Sequence, residues 1–194
     1  KKSCHEDSNA VEKGFSVVQI VAGLYPDMPA FDERGANEAG FPWETDYSCI
    51  NPDYWNLADR RMSHLVALGL IPCIVGCWGY YLCWMGIEKM KAHWRNLIAR
   101  YGAYPVVWCL SGEATMPYYM SEKKDEDAKF QKQGWTELTR YVRETDPYHR
   151  LATMHPPGVP AFQSGRKRLN DDSLMDFDLL QTAQRMQQEM TRVQ

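Results

Sequence analysis

This sequence lacks the short signatures of several large enzyme classes. It has no Gly-x-Gly-x-x-Gly, no phosphate-binding loop and no Gly-x-Ser-x-Gly. Dinucleotide binding, P-loop phosphate binding and the strained-serine hydrolase turn therefore have no motif to rest on. The long uncharged run 65–87 is broken by Gly69 and Pro72, so no membrane-spanning helix is expected. An excess of one charge is also missing: 22 Lys and Arg face 25 Asp and Glu, for a net charge of −3. That balance gives no reason to expect nucleic acid or an anionic membrane as partner. The one basic knot, Gln163-Ser-Gly-Arg-Lys-Arg-Leu, reads as a solvated loop. The chain begins at Lys1 with no signal-like segment after it. Its true N-terminus is expected upstream, and compartment is not legible from this end.

Cysteine is present but unpatterned, at positions 4, 49, 73, 77, 83 and 109. Cys73, Cys77 and Cys109 fall in apolar runs, where a free thiol acts as a small hydrophobe. Cys73, Cys77 and Cys83 lack the tight pairing of zinc ligands. Neither a metal nor another cofactor is expected, and reduced thiols favour a cytoplasmic setting.

What the sequence does have is alternation. Residues 15–22 read as a strand ending at Gly23, followed by a long loop over 24–50 that holds Phe-Pro-Trp-Glu at 41–44. Asn51-Pro52 opens a helix with apolar positions at Tyr54, Ala58, Met62, Leu65 and Leu68, and Gly69 closes it. A strand over 70–77, an aromatic loop over 78–84 and a helix marked by Ile87, Met90, Trp94, Leu97 and Tyr101 follow. The run 105–111 is apolar enough for a strand buried on both faces. A third helix over Trp135, Leu138 and Val142 stops at Asp146-Pro147. Strands over 151–154 and 174–182, then a last helix through Met186 and Met190, complete the order. Such alternation predicts an α/β fold, a parallel sheet with right-handed crossovers. Long loops follow the strands, whereas helix-to-strand connections are short. That asymmetry belongs to a barrel decorated on its active face. At 194 residues the chain holds one sizeable core but falls short of the ~250 residues of a complete barrel. The expectation is a single incomplete domain over 1–194, a partial TIM (β/α)8 barrel with outer helices. Made alone, such a piece should self-associate through its open edges.

The expected strand ends collect chemistry. Glu113 closes the 105–113 run, where a barrel places catalytic carboxyls; the plainer use of a Glu there is a helix cap. The loops also carry Asp27, Trp43, Glu44, Trp78, Tyr80, Tyr81, Trp84, Tyr118, Tyr119, His155 and Gln181. Aromatic faces suit the C–H faces of sugars, and carboxylates and amides suit their hydroxyls. Any one of these aromatics could instead lid the barrel. Glycosidic cleavage needs one carboxyl to protonate the leaving oxygen and a second as nucleophile or base. Within the chain, Glu44 and Asp27 are candidates for the second. His155 is placed to orient a carboxylate.

Four stretches resemble a known family: Val17-Val-Gln-Ile-Val-Ala-Gly, Ala36-Asn-Glu-Ala-Gly-Phe-Pro-Trp-Glu, Pro72-Cys-Ile-Val-Gly-Cys-Trp-Gly-Tyr-Tyr and Tyr104-Pro-Val-Val-Trp-Cys-Leu-Ser-Gly-Glu-Ala-Thr-Met-Pro-Tyr-Tyr. They are similar to the apiosidase-like, family-five-like glycoside hydrolases, over roughly residues 14–182. The resemblance implies a (β/α)8 barrel and a retaining mechanism on a plant or microbial glycan. It makes Glu113 the acid/base after the fourth barrel strand; the reading of the strand-end loops assigns Asp27, Trp43, Glu44, Trp78, Tyr80, Tyr118, Tyr119, His155 and Gln181 to substrate binding. It also implies a nucleophile beyond Gln194, so that the piece alone would be inactive. The family often has Gly-Gly-Asp where this chain has Ser111-Gly112-Glu113, which bears on sugar specificity. The alternatives are a non-catalytic carbohydrate-binding barrel and a different barrel hydrolase. Oligomeric state is not legible.

Overall fold

A computed structural model of the chain describes residues 8–157 and 164–180. A short helical stretch over 8–12 leads into β1 (Val17–Val21), the first of four strands. The others are β2 (Ile71–Val75), β3 (Val107–Gly112) and β4 (Ala152–His155). They lie side by side in chain order, every pairing parallel, as the alternation predicts. Three helices connect them: α1 (Pro52–Ala67), α2 (Tyr81–Tyr101) and α3 (Lys124–Thr145).

The local signals explain the ends of α1. The Asn51 side chain accepts from the N–H groups of Asp53 and Tyr54, satisfying two donors that no helical carbonyl reaches. Gly69 leaves the helix at φ +79°, where a side chain would be strained. At the end of α3 Asp146 is 1% exposed. Its carboxylate accepts from Trp108 Nε1 at 2.8 Å and from the backbone of Tyr148 and Arg150, both at 2.9 Å. One side chain thus ties a helix end to β3 and to the start of β4.

The two faces of the sheet differ. Ile74, Trp108, Leu110, Ala152 and Met154 join one large cluster with residues of all three helices, including Trp55, Trp94 and Trp135. Each of those four tryptophans is no more than 1% exposed. Burying an indole contributes on the order of 4–6 kcal/mol by area, before entropy is subtracted. The opposite face holds a small cluster, Cys73, Val75 and Cys109, flanked by Val21, Val107 and Leu179. All three helices therefore cover one face, and the other is the concave face of a partial barrel.

Two expectations are corrected. Helix α2 starts at Tyr81, not after the aromatic loop; it takes in Trp84 and kinks at Gly86, whose φ is +75°. The strand expected over 174–182 is not one over its described part, 174–180, where only a short 3-10 turn (Asp172–Leu174) is regular. The segment does run along β4. Asp176 N–H donates to Ala152 O, but the Asp176 carboxylate accepts the Ala152 N–H where a strand would offer a carbonyl. A side chain has taken a ladder position, so no ladder propagates. The helix expected through Met186 and Met190 lies outside the described residues.

Candidate active site

Glu113 follows β3 directly and has φ +47°. A non-glycine residue there is uncommon and carries a backbone cost of about 1–3 kcal/mol. The surroundings impose it. Between Cys109↔Thr153 and Gly112↔His155 the β3–β4 register slips by one residue, a bulge at the strand end. Glu113 N–H then donates to His155 O at 3.0 Å and its carbonyl accepts from Met116 N–H at 2.8 Å. The carboxylate is half-buried, and Trp78 Nε1 donates to its Oε2 at 3.2 Å.

Trp78 is held just as closely. It pairs with Gly112 across the strand ends, and its ring lies over that glycine. A Cβ at Gly112 would fall 2.2 Å from the indole, so only glycine admits the ring. The Trp78 ring sits 5.4 Å from that of His155. Gln19, from β1, reaches across the concavity to place Nε2 3.1 Å from His155 Nδ1. Glu113, Trp78, His155 and Gln19 form one connected group at the carboxyl ends of the strands. Arg168 approaches from the 164–169 segment and donates to Thr115 Oγ1 at 3.2 Å. Burial lowers its pKa, and the charge of Glu113 works against that shift.

The aromatic residues sort into three environments. Tyr118 contacts Tyr80 and Trp84 at 5.2 and 5.0 Å and Tyr119 at 4.4 Å. Tyr119 is 48% exposed. Tyr80 is 1% exposed, and its hydroxyl donates to the carbonyls of Tyr25 and Met28, so it is a strut between α2 and the 24–32 loop. Burial raises its pKa. Trp43 is buried too. It belongs to the helix-side core, where Nε1 donates to His93 Nδ1 at 3.2 Å. Its neighbour Glu44 is exposed in a turn closed by Glu44 N–H to Cys49 O.

The structure thus places Trp43 and Tyr80 in the helix-side core and Glu44 in an exposed turn. Asp27 is exposed at φ +57°, with its carbonyl accepting from Arg34. None of the described hydrogen bonds joins it or Glu44 to Glu113, Trp78 or His155. Gln181 lies outside the described residues. Gln19 and Arg168, which the structure brings to the strand ends, were not foreseen. A single polar side chain at an inward position of the strand Val-Val-Gln-Ile-Val was the available signal for Gln19. Among the described residues no group of three His, Cys, Asp or Glu could hold a metal ion.

A cavity of about 300 Å³ lies elsewhere, between β1 and α1, lined by Ile20, Ala58, Met62 and Leu65. No carboxylate reaches it, so it is a gap in the helix-side packing rather than a place for this chemistry.

The strand-end carboxylate on the open face of a parallel, helix-backed sheet is what a family comparison must explain. The matching family model is the apiosidase-like catalytic domain, over residues 8–194. The chain belongs to the apiosidase-like family. Among solved structures, this apiosidase-like chain is similar to a glycoside hydrolase family 5 protein from Bacteroides vulgatus ATCC 8482. The TM-score is 0.66 and the identity 18%, over 93% of this chain and 36% of that one. A glycoside hydrolase family 5 enzyme from Prevotella bryantii B14 is similar at TM-score 0.54 and 12% identity, over 87% of this chain and 49% of that one. A mutant of that enzyme in complex with a xyloglucan tetradecasaccharide gives 0.56 and 10%, with the same coverage. These identities speak for the fold alone: four strands of a barrel of the glycoside hydrolase type. The chain spans about a third to a half of the length of these proteins. Curated protein sequences give no match.

Proposed function

We propose that this chain supplies the acid/base half of a retaining glycoside hydrolase site, with Glu113 as the acid/base and a glycan as substrate. The observation that carries the reading is the Glu113 carboxylate at the end of β3, held by Trp78 Nε1 at 3.2 Å beside His155. A general acid has to be held where the leaving oxygen will be. Here the bulged backbone and one indole hydrogen bond hold it. Glu113 protonates the glycosidic oxygen as the bond to the sugar breaks. It then takes a proton from the water that releases the glycosyl-enzyme. The nucleophilic carboxyl comes from outside these residues. Tyr118 and Tyr119 present faces for sugar rings at the rim.

The test uses the full-length protein. Glu113→Gln keeps shape and hydrogen bonding but has no proton to donate. Turnover of natural glycosides should fall by ~10²–10⁴-fold. The first step on activated aryl glycosides, whose leaving group needs no proton, should fall far less. Azide should restore the second step and give a glycosyl azide of retained configuration. Equal loss on both substrates without an azide adduct would remove Glu113 from the role. Glycan binding with no turnover by the wild type would favour a binding barrel instead.

A further inference from the structure

Arg168 carries a charge that no contact neutralises. Of the half-buried arginines, Arg100 and Arg166 hold carboxylates at 2.6 and 3.4 Å, and Arg150 holds the backbone carbonyls of Gly102 and Ala103. Arg168 makes no ion pair among the described residues. Its Nη1 donates to Thr115 Oγ1 at 3.2 Å, and its Nε is buried without a partner. A partly desolvated cation without a counter-charge is costly. The segment that carries it is nonetheless firmly seated. Gly165 lies against β4, where a Cβ would fall 2.7 Å from Met154 O. Leu169 is 4% exposed in the core, and Asn170 N–H donates to Thr136 Oγ1 of α3 at 2.9 Å. These anchors hold the guanidinium against the loop after β3, where Thr115 lies two residues past Glu113. The carboxylate whose charge reaches it there is that of Glu113.

We propose that Arg168 is a positioning residue whose guanidinium is the counter-charge of Glu113 while that carboxylate is ionised, in the base step. The inference rests on reading the strand-end group as the glycosidase site. In the first step Glu113 gives its proton to the leaving oxygen and becomes an anion beside the glycosyl-enzyme. In the second it takes a proton from water as the water oxygen bonds to the sugar, so the anion has to persist until water attacks. A guanidinium suits this use because it stays charged across the working pH range, even where burial lowers its pKa. Tethered to Thr115, it favours the anion through charge and leaves the carboxylate oxygens open to a proton. Among the described residues, two elements bring charged or titratable groups to Glu113. The 164–169 segment brings Arg168. β4 brings His155, whose carbonyl accepts from Glu113 N–H and whose ring lies against Trp78. On β3 itself the Cys109 thiol is kept neutral by burial. An imidazole titrates near neutral pH, so the contribution of His155 has to be separated from that of Arg168.

The test is a carbon NMR titration on full-length protein labelled at the glutamate carboxyls, with the Glu113 signal assigned by its loss in Glu113→Gln. In Arg168→Met the Glu113 titration should move to higher pH. At a fixed pH the ratio of acid to anion should rise at least about threefold, the weight of two opposite charges short of contact even in a water-like medium. Arg168→Lys keeps the charge and should stay close to wild type. Thr115→Val removes the tether and leaves the charge, so it should move the titration less than Arg168→Met does. Arg168→Met in a His155→Gln background should give the same displacement, which takes the imidazole out of account. On glycosides, the alkaline limb of kcat/KM should move to higher pH in Arg168→Met and stay in place in Arg168→Lys. A Glu113 titration that coincides in wild type and Arg168→Met overturns the proposal. So does a displacement that vanishes in the His155→Gln background, or an equal one in Thr115→Val, which would make Arg168 a tether of the loop alone. If Arg168→Met does not fold, Arg168→Gln, with an N–H for Thr115 and no charge, decides in its place. If the Glu113 signal moves as expected but wild type turns over no glycoside, the charge pairing stands and the glycosidase reading falls.

Discussion

Two tryptophans in this chain look alike in the sequence and do different work. Trp43 stands next to a glutamate, and Trp78 opens an aromatic loop; each donates its indole N–H to one partner. Trp78 is half-buried and donates to a carboxylate at the strand ends. Trp43 is 4% exposed and donates to His93, which is itself fully buried and bonded through Nε2 to Gly76 O at 2.8 Å. The sheet makes the difference. Strand-end residues facing the concavity meet no helix and stay partly exposed. The loop that carries Trp43 packs it against His93 of α2, and its aromatic residue becomes core. Proximity of an aromatic and a carboxylate in sequence therefore says little until the face is known.

The sharpest way to break this comparison is through the two glutamates. Glu113→Gln should cost ~10²–10⁴ in kcat on natural glycosides, whereas Glu44→Gln, in an exposed turn, should leave kcat and KM within about twofold. Parallel kinetics on the full-length protein decide it. Comparable losses would return Glu44 to the site.

Truncating the two indoles comes next. Trp43→Ala removes a buried ring and should cost about 3–5 kcal/mol in urea unfolding. Trp78→Ala removes a half-buried ring, so about 1 kcal/mol is expected. The ranking should invert for activity, with Trp78→Ala the more damaged. A Trp78 variant less stable than the Trp43 variant would place Trp78 in the core.

The order of strands and helices was legible because each element carries its own pattern and cap, as with Asn51 at α1 and Gly69 at its end. The place of Glu113 at a strand end was legible because a charge closing an apolar run has few places to go. The burial of Trp43 and Tyr80 was not legible because aromatic residues serve a core and a sugar equally well, and only tertiary packing chooses. Gln19 was invisible as a partner of His155, since the two are 136 residues apart and meet only once the sheet curves. The 174–180 segment failed as a strand for a similar reason. The Asp176 side chain competes with the backbone for the Ala152 N–H, and β-propensity does not register such competition.

The buried His93 adds a pH dependence that belongs to the Trp43 side alone. Burial lowers its pKa from 6.5 to about 4. The unfolded chain takes up a proton near pH 6.5 and the folded one resists until about 4, so stability rises with pH across that window. The contribution is fully present above the unfolded value. About 2 kcal/mol of it should be lost on going from pH 7 to pH 5, and about 3 by pH 4. Urea melts of wild type and His93→Gln check this: the variant should be flatter between pH 7 and 5, above the range where most carboxylates titrate.

The mildest change separates the hydrogen bonds from the rings. Trp43→Phe keeps an aromatic ring in the core but leaves the Nδ1 lone pair of His93 without its donor. No water replaces a donor at a fully buried atom, so about 1–2 kcal/mol of stability should go. Trp78→Phe removes the donor from a carboxylate that is half-buried, where water can solvate the vacated oxygen. Stability should stay within about 0.5 kcal/mol. Catalysis should not be spared, because the lost N–H held Glu113 in place, and a drop of about tenfold in kcat fits one such bond. Unfolding curves and kinetics on the two Phe variants give four numbers. If Trp78→Phe costs stability and leaves kcat untouched, the indole of Trp78 is a structural strut like that of Trp43, and the contrast between the two sides of the sheet fails.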